Sequence, residues 1–329
     1  MHIPDGYLDA ATAASTGLLS ATGLGFALRQ ARFRLPPRRV PLLGLSAAFV
    51  FAAQMLNFPV AFGTSGHLVG AVLTAVLLGP SAAVIVISAV LIVQCLMFND
   101  GGITALGANI FNMALVGGVG GWAIYYAVSR LFAGLFGRVL AAAFAGWCST
   151  VMGAIACAGE LAASGWVSGS VVFPAMASVH MLIGVGEGLI TALVLVGVSR
   201  ARPELVLDTA DAAAGKPYGA ITLYGILIAL GLALFVSPFA SEWPDGLDRT
   251  LSKLGLEHEA KAIVPAPMPD YTIRWISVAK LSTSIAGAIG TIVVFGLSWL
   301  LARALVPKPG MRPSADPAHG DVADPDPPR

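Results

Sequence analysis

With 329 residues, 57% of them apolar and only 11% charged, and a mean hydropathy of +0.81, the chain excludes a water-exposed globular surface and reads as an all-α polytopic membrane protein. The formal net charge of +1 says nothing about partners until it is split by side of the membrane, and no nucleic-acid partner is expected. Cys95, Cys148 and Cys157 all fall in apolar stretches, where a small buried hydrophobe is the default reading rather than a disulfide or a ligand.

The first element is Met1-His2, where a free amine and an imidazole sit one peptide apart. With the amide nitrogen between them they form a three-nitrogen chelate for a divalent transition metal. A secretory signal needs a basic segment before its apolar core, whereas residues 1 to 9 carry Asp5 and Asp9 and no Lys or Arg. The expectation is an uncleaved N-terminus that keeps Met1, because His2 is too large for initiator trimming.

Nine charge-free runs near the length that crosses a bilayer follow: Leu8–Leu28, Val40–Phe62, His67–Leu78, Ser81–Phe98, Thr104–Val128, Val139–Ala158, Val171–Val198, Gly219–Phe239 and Leu281–Leu301. The third is short and is parted from the fourth only by Gly79-Pro80, read as a tight turn; one kinked, re-entrant segment is the alternative. With the N-terminus outside, Arg29, Arg32, Arg34, Arg38 and Arg39, then Arg130 and Arg138, then Arg200, Arg202 and Lys216, and finally Arg303 and the tail all fall inside. The outer side receives only Arg249, Lys253, Lys261, Arg274 and Lys280, in one long loop that the positive-inside rule weights little. Nine spans with an outward N-terminus satisfy the rule.

A fourth nitrogen completes a planar site, and His67, His180, His258 and His319 are the candidates. His319 lies in the Pro-rich tail, read as disordered over residues 306–329. His258, between Glu257 and Glu259, fits a solvated helix face, with capture of metal from outside as the sharper alternative. His67 follows the Gly63-Thr64-Ser65-Gly66 loop at the outer end of the third run and is the best placed. Four nitrogens in a plane suit Ni(II) or Cu(II), whereas Zn(II) prefers a tetrahedron and Mg(II) or Ca(II) prefer oxygen.

The remaining intramembrane polar residues carry two readings each. Asn57, Gln94, Asn109 and Asn112 either bond neighbouring helices or orient an imidazole from behind. His180 and Glu187 share one helix face; they form a proton or metal relay, or they bond neighbours while Gly184 and Gly188 allow close approach. A membrane enzyme or proton-coupled carrier built on His180 and Glu187 is the rival function. No G-x-x-x-x-G-K-[ST] phosphate loop occurs in the sequence, so ATP hydrolysis has to come from partner subunits.

Four segments in order, Met1-His2-Ile3-Pro4-Asp5-Gly6, Gly66-His67-Leu68, the stretch from Asp100-Gly101-Gly102 to Asn109-Ile110-Phe111-Asn112-Met113, and His180 to Thr191 with Gly184-Val185-Gly186-Glu187-Gly188, resemble the CbiM/NikM family. These are the metal-specific S components of energy-coupling factor transporters, and the resemblance covers roughly residues 1–200. It implies a seven-span substrate-binding subunit of a prokaryotic plasma (inner) membrane, in which the Met1 amine, the His2 amide and imidazole, and the His67 imidazole hold Ni(II), or Co(II) for cobalamin synthesis, as transported substrate. It implies no organic cofactor, and as partners a transmembrane coupling (T) subunit and cytoplasmic ATPase (A) subunits. Beyond a cytoplasmic linker at 201–218, residues 219–305 resemble the two-span accessory component, NikN or CbiN. Trp243-Pro244-Asp245-Gly246-Leu247-Asp248 is similar to the motif of the PDGLE domain, with Asp248 in place of its final Glu. Leu247, Leu251 and Leu254 after it mark one face of an amphipathic helix that either lies on the membrane surface or packs over the site, the favoured reading being a spacer or lid.

Overall fold

A computed structural model describes residues 1–206, 218–256 and 262–306. His258, His319, most of the linker and nearly all of the Pro-rich tail lie outside the described residues. The nine apolar runs fold as helices α1 (Ala10–Arg34), α2 (Val40–Gln54), α3 (Ala71–Leu78), α4 (Pro80–Phe98), α5 (Leu106–Val128), α6 (Gly134–Ala163), α7 (Gly169–Ala201), α8 (Gly219–Phe239) and α10 (Ala279–Leu305), with a short surface helix α9 (Gly246–Lys253) before the last. Seven of the described helices are long and apolar enough to cross a membrane. The two that fall short, α2 with 15 residues and α3 with eight, flank the stretch that builds the site.

The second run was expected to continue to Phe62, but α2 stops at Gln54. Pro59 lacks a donor and biases Phe58 towards extended backbone, and Phe58–Pro59 pairs antiparallel with Ser65–Gly66, Phe58 opposite Gly66, in the one small hairpin of the described residues. The third run likewise is not helical from His67: residues 67–70 are extended and the helix begins only at Ala71. Gly79, at φ 96°, then ends α3, and Pro80 opens α4 at a position where the missing amide costs nothing.

Non-helical backbone at this depth needs partners for its amides and carbonyls, because none come from lipid. Glu187 on α7 supplies two: its carboxylate accepts from Val69 N at 2.6 Å and Gly70 N at 3.0 Å. Gln54 Nε2 donates to Val69 O at 2.9 Å. The break in α2 and the late start of α3 are thus held open by buried side chains on α2 and α7.

Small residues let the long helices meet. A Cβ on Gly188 of α7 would lie 2.6 Å from the Ala143 carbonyl of α6, and one on Gly290 of α10 would lie 2.2 Å from the Phe51 ring of α2; such contacts replace a hydrophobic drive that lipid does not provide. Within α5 the stretch Phe111–Gly120 is wound as π-helix, a form that concentrates near functional sites. Large apolar side chains such as Leu18, Phe26, Leu223 and Phe235 are exposed on the perimeter, which suits a lipid-facing surface. Arg34, Arg39, Arg130, Arg138, Arg202 and Arg303 mark one end of the bundle, and the N-terminus lies at the other.

Candidate metal centre

Residues 1–9 form a strap that runs into the bundle instead of lying on it: Met1, His2, Ile3 and Tyr7 are all buried, Ile3 completely. Burying one Ile side chain stabilises by about 1.5–3 kcal/mol, and polar bonds fix the register. Asn109 on α5 grips the main chain of Ile3 from both sides, accepting from Ile3 N at 2.8 Å and donating to Ile3 O at 3.1 Å. Gly102 N donates to Ile3 O at 2.8 Å, an approach so close that a Cβ on Gly102 would sit 2.2 Å from Asp5 N. Asp5 accepts from Thr104 N at 2.9 Å and from Thr104 Oγ1 at 2.6 Å.

This strap delivers the Met1 amine to 3.4 Å from His67 Nε2. With metal–nitrogen distances of about 2.0 Å, two donors on one ion lie about 2.8 Å apart at a right angle and about 4 Å apart when opposite, so the observed spacing is one that a single ion bridges. The His2 ring stacks beside that of His67, centroids 5.1 Å apart and planes at 28°. His67 Nδ1 lies 3.1 Å from Leu68 O, which fixes the ring and leaves Nε2 turned to the amine. A ligating imidazole is usually tethered in this way through its other nitrogen.

Two carboxylates close the site. Asp245, the N-cap of α9, accepts from Leu247 N and Asp248 N and also receives the Met1 ammonium at 2.8 Å. Burial opposes the charge on the amine, but the Asp245 carboxylate outweighs it and raises the amine above its ordinary value. Burial likewise pushes Asp245 up and the ammonium pulls it further down, so its carboxyl is held well below the usual range. The second carboxylate, Asp100 at the end of α4, has Oδ1 3.2 Å from His2 Nδ1, and Gln94 Oε1 lies 3.2 Å from His2 Nε2. Burial lowers His2 despite Asp100, and lowers His67 with help from the Met1 ammonium; both rings are neutral near pH 7.

The other polar residues read from the sequence divide clearly. Asn109 holds the strap and Gln94 faces His2. Asn112 Nδ2 instead donates to Glu160 Oε2 at 2.7 Å, a bond between α5 and α6, and Asn57 uses its main-chain carbonyl to accept from Ser241 N at 2.8 Å while lining the cleft above the site. His180 Nδ1 lies 2.8 Å from Met176 O within its own helix, and its ring borders a cavity of about 10 Å³, one water in size, shared with Met1, His67 and Asp245. Glu187 is spent on the Val69 and Gly70 amides.

Sequence reasoning missed Asp100, Asp245 and Tyr271. Asp100 entered only within a family-like segment and Asp245 only within the PDGLE-like motif, and nothing local tells that Asp245 folds back onto Met1. Leu247 and Leu251 are buried on the inner face of α9, which seats Asp245 over the amine. Above the site a cleft of about 610 Å³ opens, lined by His2, His67, Asp100, Asp245, Asp248 and Asp270 among others. Among the described residues no three His, Cys, Asp or Glu side chains converge as a metal-ligand group.

Comparison with known proteins follows the same lines. A family profile described as the CbiM cobalt uptake substrate-specific transmembrane region matches residues 2–205, and a PDGLE domain profile matches residues 219–306. The fused nickel transport protein NikMN of Rhodobacter capsulatus is 31% identical over 348 residues, spanning 94% of this chain and all of that protein. The cobalt transport protein CbiM of Geobacter sulfurreducens is 31% identical over 307 residues, 87% of each chain. A solved structure of a truncated transition metal transporter superposes with a TM-score of 0.56 at 34% identity, covering 61% of this chain and 99% of its own. The chain is a multi-pass membrane protein of the CbiM family, carrying a PDGLE domain in the same polypeptide.

Proposed function

We propose that this chain is the substrate-binding membrane subunit of an energy-coupling factor importer for Ni(II), and that the metal is held by the Met1 amine, the His2 amide and imidazole, and the His67 imidazole. The observation that carries this reading is the 3.4 Å approach of the Met1 amine to His67 Nε2 inside a buried, strap-built pocket. Amine and amide donors with two imidazoles form a strong-field planar set, which favours Ni(II) over Zn(II) and over the hard cations. Co(II) through the same site is the second reading, favoured by the cobalt-uptake description of the matching family.

The chain is a transport subunit, not an enzyme, and it has no phosphate-binding loop of its own. Energy then comes from a transmembrane coupling subunit and cytoplasmic ATPases in a prokaryotic plasma membrane. The N-terminal end of the bundle faces outward, and the acidic cleft above His2 and His67 is the way in for a cation. A carrier mechanism centred on His180 and Glu187 has less support, because both Glu187 oxygens already accept main-chain amides.

The test is equilibrium Ni(II) binding to purified protein with its native N-terminus, beside a form with one residue added before Met1. The extended form loses binding by more than roughly hundredfold, as His2→Ala and His67→Ala also do. Unchanged affinity in the extended form removes the amine from the ligand set.

A further inference from the structure

Tyr271 stands out as a residue in a costly conformation with a specific contact. Asp270 and Tyr271 are consecutive non-glycine residues at φ 51° and 55°, a left-handed pair that persists only where the surroundings dictate it and that concentrates at clamps and switches. The loop is pinned on both sides, Met268 N donating to Met97 O at 3.0 Å and Ile273 N to Ser282 Oγ at 2.6 Å. Its ring stacks on buried Phe98, centroids 4.5 Å apart at 17°. That posture aims the phenol at Asp100: Tyr271 Oη donates to Oδ2 at 2.6 Å, while Oδ1 of the same carboxylate faces His2 Nδ1.

A neutral imidazole has one N–H and here stands between two acceptors, Asp100 at Nδ1 and Gln94 Oε1 at Nε2. It donates to one or to the other. Nδ1 is also the only ring nitrogen that closes a six-membered chelate ring with the His2 amide nitrogen. The tautomer bonded to Asp100 therefore has its chelating nitrogen blocked by a proton, and the tautomer bonded to Gln94 leaves Nδ1 with a free lone pair.

We propose that Tyr271 is a positioning residue for the metal site: by holding Asp100 against His2 Nδ1, it latches the ring in its non-chelating tautomer until a metal arrives. This rests on the ligand set proposed above. When metal binds, the ring proton leaves Nδ1 and one is taken up at Nε2 through water in the cleft, where Gln94 accepts its hydrogen bond; the ring stays neutral and Nδ1 bonds the metal. The C-terminal part of the chain thereby sets how readily the N-terminal chelate accepts its ion.

The experiment compares Tyr271→Phe, which keeps the stack on Phe98 and removes only the hydroxyl, with the unaltered full chain in detergent. Histidine ¹⁵N shifts of the metal-free protein report the His2 tautomer, and stopped-flow mixing with Ni(II) alone reports association. The variant shifts His2 towards the Nε2–H form and speeds association roughly three- to tenfold, the net worth of one ordinary hydrogen bond. Asp100→Asn, which weakens the same contact without changing its shape, moves the tautomer ratio the same way and serves if Tyr271→Phe fails to fold. An unchanged ratio with an unchanged or slower association overturns the latch. Failure of the ligand set is a different result: Ni(II) then binds the N-terminally extended chain as well as the native one.

Discussion

The Met1 ammonium is shared between two partners of opposite consequence: Asp245 Oδ2 at 2.8 Å holds its proton, and His67 Nε2 at 3.4 Å is the partner beside which the proposed metal would take that proton's place. The residues are 244 and 66 positions away in sequence. The strap, the extended start of the third run and the PDGLE-like loop meet at one nitrogen.

Asp245→Asn isolates the ion pair, because Asn still caps α9. The expected effect is a loss of about 1–3 kcal/mol in the metal-free protein, read as a lower thermal midpoint in detergent. Asp245→Ala also loses the cap and costs about 1 kcal/mol more. Equal midpoints for the native and Asn forms would show that the pair contributes nothing.

Acidity follows from the same pair. The amine is raised by Asp245 and so is protonated near neutrality, the amide always carries its proton, and the two imidazoles, lowered by burial, are neutral and stay neutral with no net loss of a proton. With the proposed ligand set, binding Ni(II) releases about two protons, and the logarithm of the affinity climbs by about two per unit over roughly pH 6 to 7.5. Affinity falls as the solution becomes more acidic. Calorimetry in buffers of different ionisation enthalpy counts the protons, and a count near zero contradicts a ligand set containing amine and amide.

Glu187 supports the site from behind. Glu187→Ala leaves the Val69 and Gly70 amides without an acceptor in a buried setting, at about 2–5 kcal/mol, and loosens His67 two residues earlier. Glu187→Gln keeps one acceptor and costs less. Thermal stability and Ni(II) affinity should fall together in that order; a stable Ala variant with lost transport alone would point to a relay instead.

Most of the helical frame was legible because charge-free runs of spanning length have few other fates. The second and third runs were misjudged in extent: apolar composition does not register that Pro59 and the 65–70 stretch leave the helix, since the Glu187 and Gln54 side chains that satisfy that backbone come from elsewhere in the fold. That Met1, His2 and His67 come together was expected from chemistry and motif, and they do. Asp100, Asp245 and Tyr271 were not, because their roles arise only when the C-terminal loops fold over the N-terminus, and a Pro-Asp-Gly turn looks locally like a helix cap whether or not an ammonium waits beside it.

X-ray absorption at the nickel edge, on full-length protein with a native N-terminus loaded with one Ni(II), addresses the ligand set most directly. Four nitrogen donors in a plane, two of them imidazole, with no bound carboxylate, are expected. A six-coordinate, oxygen-rich shell, or a single imidazole, would contradict that ligand set.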